Sequence, residues 1–181
     1  MSPKFKIMKL YKNKLFAVIL TVVAVVTFSS CSSDDYYWKN GTLDVKFNLN
    51  LDRNGYSEAF TTVRISEIPE INLSREDIYD MRTNDAWLEI SNLKRGDYID
   101  RFYIDVAGVG TYAYETPISV RSDGEIITID DNSYFNFMRN VNNLIYRNGA
   151  VDMKISFYSR IYDGGPIYFD IQNNLDLELR D

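Results

Sequence analysis

The sequence predicts a mainly β protein, built as an antiparallel β-sandwich with one crossover α-helix. Apolar and polar residues alternate in short runs between residues 42 and 179, which is typical of half-buried strands. Turns of a few residues separate several of these runs, and such turns join only antiparallel neighbours. One apolar and one polar face per strand indicate sheets with one face in water. Apolar residues recur at helical spacing over one long stretch, residues 134–147.

The clearest strand starts at residue 42 and has apolar residues at every second position. It ends at the Asp-Arg-Asn-Gly sequence of residues 52–55, where Asn or Gly can adopt the positive φ of a tight turn. A second strand is predicted at residues 60–66. Pro69 stops that strand, and Ser74 can cap a short helix after it. The apolar positions of the first strand are Leu43, Val45, Phe47, Leu49 and Leu51.

Four more strands are predicted before the long helix. Turn residues set their limits, and Gly108 and Gly110 separate the second strand of this group from the third. The four predicted strands are residues 87–91, 98–107, 111–120 and 126–129.

The long helix is predicted at residues 134–147. Either Asp131 or Ser133 can accept hydrogen bonds from the free N–H groups at its start. Asn148 and Gly149 supply the left-handed residue that ends it. We expect one apolar stripe to pack onto a sheet, formed by Tyr134, Phe137, Met138, Val141, Leu144 and Ile145.

Three alternating runs after the helix predict three further strands. Turns are predicted between them at residues 163–166 and 172–174. Together, eight or nine strands and one helix form a single predicted domain, residues 42–181. The apolar residues of the three runs are Val151, Met153, Ile155 and Phe157, then Ile167, Phe169 and Ile171, then Leu175, Leu177 and Leu179.

Residues 1–30 have the pattern of an export signal. An apolar run, residues 15–28, follows a segment that contains lysines and no acidic residue. A helix of this length rises about 21 Å, which is shorter than the roughly 30 Å hydrocarbon core of a bilayer. The run is therefore predicted to be a signal sequence rather than a permanent membrane span. The lysines before it are Lys4, Lys6, Lys9, Lys12 and Lys14.

The signal ends in Phe-Ser-Ser-Cys, residues 28–31, which resembles the lipobox of bacterial lipoproteins. Cys31 is the only cysteine of the chain. The resemblance implies that diacylglycerol is attached to the Cys31 thiol, that residues 1–30 are removed and that the new N-terminus is acylated. Outer-membrane lipid is then the first expected partner. A plain secretory signal with a chance cysteine and an uncleaved signal anchor are the alternatives.

The residues after the cysteine resemble a second targeting signal. Ser32 is not the Asp that resembles an inner-membrane retention signal, and Ser33, Asp34 and Asp35 resemble the acidic export signal on surface lipoproteins of the Bacteroidota. This resemblance implies an outer-membrane, surface-exposed protein. A solvated acidic linker is the alternative.

Residues 31–41 are the predicted tether between the lipid anchor and the domain. Its aromatic residues, Tyr36, Tyr37 and Trp38, can rest at lipid headgroups or fold back on the domain.

Charge and composition exclude several function classes. Without residues 1–30 the chain has 15 basic and 26 acidic residues, a net charge of −11. Nucleic acid needs a basic footprint and is not an expected partner. The chain has no histidine, which removes Ser-His-Asp and Cys-His catalysis and the commonest transition-metal ligand. We predict no enzymatic activity, no cofactor and no metal site. Residues 50–55 imitate the start of a calcium loop, but Thr61 stands at the twelfth position, so a turn is predicted.

Tyrosines are the candidate ligand-binding residues, because the chain contains 14 of them. A flat ring with a polar tip suits both sugars and protein partners. Cross-strand aromatic pairs that only stabilise a sheet are the alternative interpretation. The candidates, which lie on or near strand faces opposite the apolar rows, are Tyr103, Tyr158, Tyr162 and Tyr168.

A further resemblance concerns the fold. Residues 45–54, followed by Phe60 and Val63, resemble the opening strand and turn of fimbrillin and fimbrial-anchor lipoproteins of the Bacteroidota. Residues 92–98 are similar to the Leu-x-x-Gly-x-Tyr turn of that family. The resemblance implies a transthyretin-like sandwich, whereas the strand pattern alone also fits an immunoglobulin-like sandwich.

These observations predict an outer-membrane, surface-exposed lipoprotein with a non-catalytic domain for binding or adhesion to a glycan or protein ligand. One alternative is a fimbria-like structural or anchor subunit, which implies self-association at an exposed sheet edge. A periplasm-facing factor for envelope assembly is the other alternative.

Overall fold

The computed structural model describes residues 36–50, 55–71, 78–161 and 165–180. In these ranges the chain forms nine strands, one short 3-10 turn at Ile65–Glu67 and one α-helix. The strands are β1 Tyr36–Asn50, β2 Tyr56–Arg64, β3 Ile78–Ser91, β4 Tyr98–Val106, β5 Gly110–Tyr114, β6 Ile118–Ser119, β7 Glu125–Thr128, β8 Ala150–Arg160 and β9 Pro166–Arg180, and the helix is α1 Asn132–Asn148.

The strands form two antiparallel sheets. Sheet A has the order β1-β9-β3-β7. Sheet B has the order β2-β8-β4-β5, and β6 also pairs with β4. The two sheets pack face to face with one helix, so the predicted mainly β sandwich is confirmed.

One apolar core lies between the sheets. Alternate residues of the long strands are buried, as the period-two pattern predicted. Aromatic rings from the two layers meet at its centre, where Phe169 of sheet A lies 5.6 Å from Phe102 and 5.2 Å from Phe157 of sheet B. All three rings are fully buried. Because both sheets contribute to one core, the described residues from Tyr36 onward fold as one unit.

Strand β1 begins six residues before its predicted start at residue 42. Residues 36–41 were predicted to belong to the tether, but they pair with residues 175–180 of β9. The sequence pattern does not reveal this extension, because residues 36–40 are all exposed and show no alternation. Backbone pairing with β9, rather than burial, makes them part of the strand. Residues 36–41, predicted as tether, therefore belong to the sandwich.

The predicted turn at residues 172–174 is wrong, because β9 runs through it without interruption. Asn173 occupies an inward position of this strand and is completely buried. Its amide satisfies the buried hydrogen-bonding groups around it, so a polar residue fits the core. The two predicted strands on either side of this residue are one strand.

Other boundaries also differ from the prediction. Strand β3 starts at Ile78 rather than at residue 87, because two register shifts break its alternation before Asp85. The strand predicted at residues 111–120 is divided into β5 and β6 before and after Pro117. Strand β2 begins four residues before its predicted start.

Two further predictions lie outside the described residues. These are the short helix that starts at residue 74 and most of the calcium-loop-like segment, residues 50–55, of which only Asn50 and Gly55 are described.

The helix matches its prediction closely. Asp131 is the N-cap and accepts a hydrogen bond from the Ser133 backbone N–H at 2.8 Å. Gly149 ends the helix with φ of 81°. Asn142, a buried residue of α1, donates from Nδ2 to the Met81 carbonyl and to Thr83 Oγ1, at 3.3 Å each. The helix therefore packs against β3 of sheet A.

No helix in the described part of the chain is long and apolar enough to cross a membrane.

Candidate functional site: the tyrosine face of sheet B

Three neighbouring strands of sheet B bring aromatic and charged side chains together on its outer face. Tyr56 of β2 lies opposite Tyr158 of β8, and Arg101 of β4 lies on the other side of Tyr158. A register shift between Ile99 and Arg101 produces this alignment, because Asp100 is the extra residue. We call this surface the tyrosine face, formed by Tyr56, Glu58, Arg101, Tyr103, Lys154, Ser156 and Tyr158.

Tyr158 is the centre of the aromatic part of this face. Its ring lies 5.0 Å from the Tyr56 ring and 6.1 Å from the Tyr103 ring, the latter in an edge-to-face arrangement. The guanidinium carbon of Arg101 lies 4.6 Å from the Tyr158 centroid, which is cation–π geometry. Since these contacts hold three rings and a cation in place, the surface is ordered before any ligand arrives.

Ionic contacts continue the face beside the rings. Lys154 Nζ lies 3.4 Å from Glu58 Oε1 and 3.4 Å from Asp105 Oδ2. Tyr56 and Ser156 donate hydrogen bonds from their hydroxyl groups to the same Glu58 oxygen. Each charged group therefore has a fixed position and a compensating partner.

These contacts determine the protonation states. The hydrogen bond from Tyr56, the largest cause, and the contact with Lys154 lower the pKa of the Glu58 carboxyl. The same hydrogen bond between Tyr56 and Glu58 raises the pKa of the Tyr56 hydroxyl. Hydrogen bonds to Asp105 and Glu58 raise the pKa of Lys154. At neutral pH the face presents a carboxylate and an ammonium group. A general acid needs a raised carboxyl pKa, so the shift of Glu58 has the wrong direction for acid catalysis.

A groove of about 400 Å³ lies at the end of the tyrosine face. Phe60 of β2 forms one wall, with 73% of its surface exposed, and Lys154 and Asp105 form the polar side. Thr111 donates a hydrogen bond to Asp105, so this carboxylate is also held in place. The volume lies within the roughly 300–1,000 Å³ of small-ligand sites. The groove offers one open aromatic ring beside fixed polar groups.

The structure brings together two of the four predicted tyrosines. Tyr103 and Tyr158 lie together on the tyrosine face. Tyr168 lies on sheet A, opposite Asn48 and Ser91, and is 47% exposed. Residues outside the described ranges are Tyr162 and the predicted lipidation and export residues, namely Cys31, Ser32, Ser33, Asp34 and Asp35.

Several members of the site were missed at the sequence level. Tyr56 precedes the predicted start of β2, so its outward position was not recognised. Phe60 begins the predicted second strand and is part of the resemblance to fimbrillins, and neither feature marks it as a ligand-binding ring. Arg101 could not be aligned with Tyr158, because a sequence does not reveal a register shift. A usable signal was the alternation of Tyr56, Glu58 and Phe60, which places them on one face of a strand.

A second, more acidic concavity lies on sheet A. Its volume is about 250 Å³, and Glu70, Asp85 and Asp176 contribute to its lining. Glu70 accepts a hydrogen bond from the Thr42 backbone N–H at 3.0 Å, so its carboxylate is engaged with β1. Within the described ranges, no group of three or more acidic, histidine or cysteine residues has a metal-binding arrangement.

Comparison with known proteins assigns no family. No family model matches the chain, and no curated protein has a significantly similar sequence. The chain is similar to the BFDV capsid protein, with 11% identity, 81% coverage of this chain, 100% coverage of that chain and a TM-score of 0.42.

Two more solved structures have lower TM-scores. The Desmodium yellow mottle tymovirus structure shows 12% identity over 79% of this chain and 90% of that chain, with a TM-score of 0.32. TmCBM61, solved with β-1,4-galactotriose, shows 12% identity over 80% of this chain and 88% of that chain, with a TM-score of 0.28. Similarity at this level carries no information on function.

Proposed function

We propose that this chain is a lipid-anchored protein of the outer membrane, exposed at the cell surface, whose sandwich binds carbohydrate without catalysing a reaction. The observation that carries the proposal is the exposed Phe60 ring beside the fixed charges of Lys154 and Asp105. The proposed location at the cell surface rests on Cys31 and the acidic residues that follow it in the sequence.

The chemistry of a sugar matches this surface. A pyranose ring has an apolar face of C–H groups, which packs on an aromatic ring, and a rim of hydroxyl groups, which both donate and accept hydrogen bonds. Phe60 supplies a ring that is free to take a ligand on the edge strand β2. Lys154 supplies donors, while Glu58 and Asp105 supply acceptors.

Preorganisation also supports binding rather than turnover. The polar groups are already paired, so a ligand meets them in fixed positions and little side-chain entropy is lost on binding. The lowered pKa of Glu58 keeps this carboxylate ionised, as an acceptor of ligand hydroxyl groups.

The test is a glycan-binding measurement with the protein purified from membranes in detergent. A glycan array identifies a ligand, and titration calorimetry then measures its Kd for wild type, Phe60→Ala, Phe60→Trp and Tyr168→Ala. We expect Phe60→Ala to weaken binding about tenfold, since this corresponds to about 1.4 kcal/mol, the scale of an aromatic contact. Phe60→Trp retains a ring and should retain binding.

Tyr168→Ala is the matched control, because it removes an exposed ring from the other sheet. Its Kd should equal that of wild type. Binding that survives Phe60→Ala but is lost in Tyr168→Ala places the ligand on sheet A and contradicts the proposed site. The absence of any bound glycan, together with capture of a protein ligand that depends on Phe60, would exclude carbohydrate as the ligand class.

A further inference from the structure

Three aromatic side chains form an exposed cluster at one end of sheet A, on its outer face. Their exposed fractions are 46% for Tyr36, 51% for Trp38 and 65% for Tyr79. Single exposed apolar residues are ordinary, but a contiguous group of rings marks an interaction surface. We call this group the aromatic end.

The aromatic end has a defined geometry. Tyr36 and Tyr79 meet edge to face, with ring centroids 4.9 Å apart. The Arg82 guanidinium carbon lies 5.2 Å from the centroid of Trp38. Since Tyr36 and Trp38 also pair through their backbones with β9, these rings belong to the folded sheet rather than to a tether.

Charges of both signs lie around these rings. Arg82 Nε lies 2.6 Å from Asp80 Oδ2, and Lys39 Nζ donates to the Glu70 carbonyl oxygen at 2.6 Å. Across the ladder, Arg180 and Glu178 lie opposite Tyr36 and Trp38, respectively. Cations and anions alternate, so the surface has no single-sign field to recruit a charged partner. The rings are therefore the dominant recognition feature.

Tyr36 and Trp38 also lie close in sequence to the proposed anchor. Five residue steps separate Cys31 from Tyr36, and a fully extended chain spans at most about 18 Å over that length. Trp and Tyr are enriched at membrane interfaces, because their rings are apolar and their N–H or O–H groups are polar. The closeness of these rings to Cys31 and their amphipathic chemistry both indicate a lipid bilayer as the partner.

We propose that the aromatic end contacts the headgroup region of the bilayer that holds the acyl chains of Cys31. This inference rests on the acylation of Cys31 in the proposed function. Acylation brings the rings to the membrane at no further cost in translational freedom, so weak individual contacts suffice. This contact holds one end of the sandwich, where β1 begins, against the lipid. The domain is oriented by it.

Tryptophan fluorescence gives a direct test, because the chain contains two tryptophans, Trp38 and Trp87. Trp38 pairs with Glu178 of β9, whereas Trp87 pairs with Gln172. These partners are six residues apart on one strand, a distance of about 20 Å. One tryptophan therefore reports on the aromatic end, and the other on sheet A well away from it.

The experiment uses the protein as purified from membranes, reconstituted in phosphatidylcholine vesicles with bromines near the top of the acyl chains. In Trp87→Phe, which retains Trp38, we expect loss of most of the emission relative to unbrominated vesicles and a blue shift relative to detergent-free buffer without lipid. In Trp38→Phe, which retains Trp87, emission should be unchanged by bromination. Neutral lipid also tests that recognition does not need an anionic surface.

Mass spectrometry of the same samples separates the two proposals. Acylated Cys31 together with unquenched Trp38 overturns the membrane contact and leaves the lipoprotein proposal intact. Unacylated Cys31 overturns both. Equal quenching of Trp38 and Trp87 also overturns the inference, because the contact would then not be specific to the aromatic end. Far-UV circular dichroism and melting curves must match wild type for both variants, which retain an aromatic ring at each site.

Discussion

Asn173 is a single buried amide that joins two strands and the helix. Its Nδ2 group donates to the Leu43 carbonyl at 3.0 Å and to the Ile171 carbonyl at 3.2 Å. Its Oδ1 accepts a hydrogen bond from the Tyr134 hydroxyl at 2.7 Å. Both side chains are buried, and burial raises the pKa of Tyr134, so its hydroxyl stays neutral and remains a donor. The cluster fixes how α1 sits relative to sheet A.

Removal of this amide should destabilise the domain strongly. Asn173→Ala leaves the Tyr134 hydroxyl and the Leu43 carbonyl without their partner, and we expect it to lower the free energy of unfolding by about 2–4 kcal/mol. Tyr134→Phe should cost about 1–2 kcal/mol. Since both remove the same hydrogen bond, the double variant should cost about 1 kcal/mol less than the sum. Urea denaturation measures all three values.

Asn174→Ala is the control, because the neighbouring side chain points away from the core and is half-buried. Its effect should stay within about 0.5 kcal/mol. Strictly additive costs for Asn173→Ala and Tyr134→Phe would contradict a direct hydrogen bond between the two side chains.

At the scale of secondary-structure elements, the start of α1 is the best-defined local feature. Asp131 Oδ1 accepts from the Ser133 N–H at 2.8 Å, and Oδ2 accepts from the Ser133 hydroxyl at 2.7 Å. A weaker bond of 3.3 Å comes from the Tyr112 hydroxyl. The bonds from Ser133, which are the largest cause, lower the pKa of Asp131. The ionised form of the Asp131 carboxylate is therefore the form that caps the helix.

The helix cap makes stability depend on pH. Asp131→Ala should lower the free energy of unfolding by about 1 kcal/mol at neutral pH. Because the folded-state pKa of Asp131 is lowered, its stabilisation is complete above the ordinary carboxyl pKa of about 4 and is lost as the pH falls through the folded-state value. The difference between wild type and Asp131→Ala should therefore shrink below about pH 4. Urea denaturation from neutral to acidic pH measures it.

Asp130→Ala is the matched control for this prediction, since Asp130 is the exposed acidic neighbour of the cap. It should change stability by less than about 0.5 kcal/mol at any pH in the series. A gap between wild type and Asp131→Ala that keeps its full size at acidic pH would show that the carboxylate charge does not contribute to the cap.

Elements differ in how far the sequence predicts them. The helix was predictable, because its apolar period and both caps are local signals. Strand β9 was not, because an inward Asn173 has turn chemistry when its tertiary partners are unknown. Strand β3 was missed before residue 87, because its register shifts destroy the alternation from which strands are recognised. Local rules therefore fail where pairing between distant strands determines the structure.

At the scale of the whole molecule, the candidate site is a product of sheet order. Alternation indicates which face of a strand a side chain occupies, but not which sheet the strand joins. Tyr103 and Tyr158 meet because β4 and β8 are neighbours in sheet B. Tyr168 has the same sequence pattern and lies on sheet A. The site could therefore be predicted as outward tyrosines, but not as an assembled surface.

The location of the whole molecule gives the last prediction. On intact cells, external protease should remove the wild-type protein but not Asp34→Ala/Asp35→Ala, because the double variant lacks the proposed acidic export signal. Immunoblots before and after protease measure the exposed fraction, and a periplasmic protein that stays intact confirms that the outer membrane is closed. A control with the same charge change elsewhere, Glu115→Ala/Asp130→Ala, alters two exposed acids of the sandwich and should remain accessible.

The pattern of accessibility then distinguishes the functional alternatives. Accessible wild-type and variant proteins together would place the protein at the surface and exclude Asp34 and Asp35 as the signal. Protection of both would contradict surface exposure, and ligands for the tyrosine face would then have to be sought among periplasmic glycans and envelope components. Because the proposed export signal and Phe60 are separate in sequence, loss of export should leave the Kd of the purified protein unchanged. A changed Kd in Asp34→Ala/Asp35→Ala would contradict this separation of export from binding.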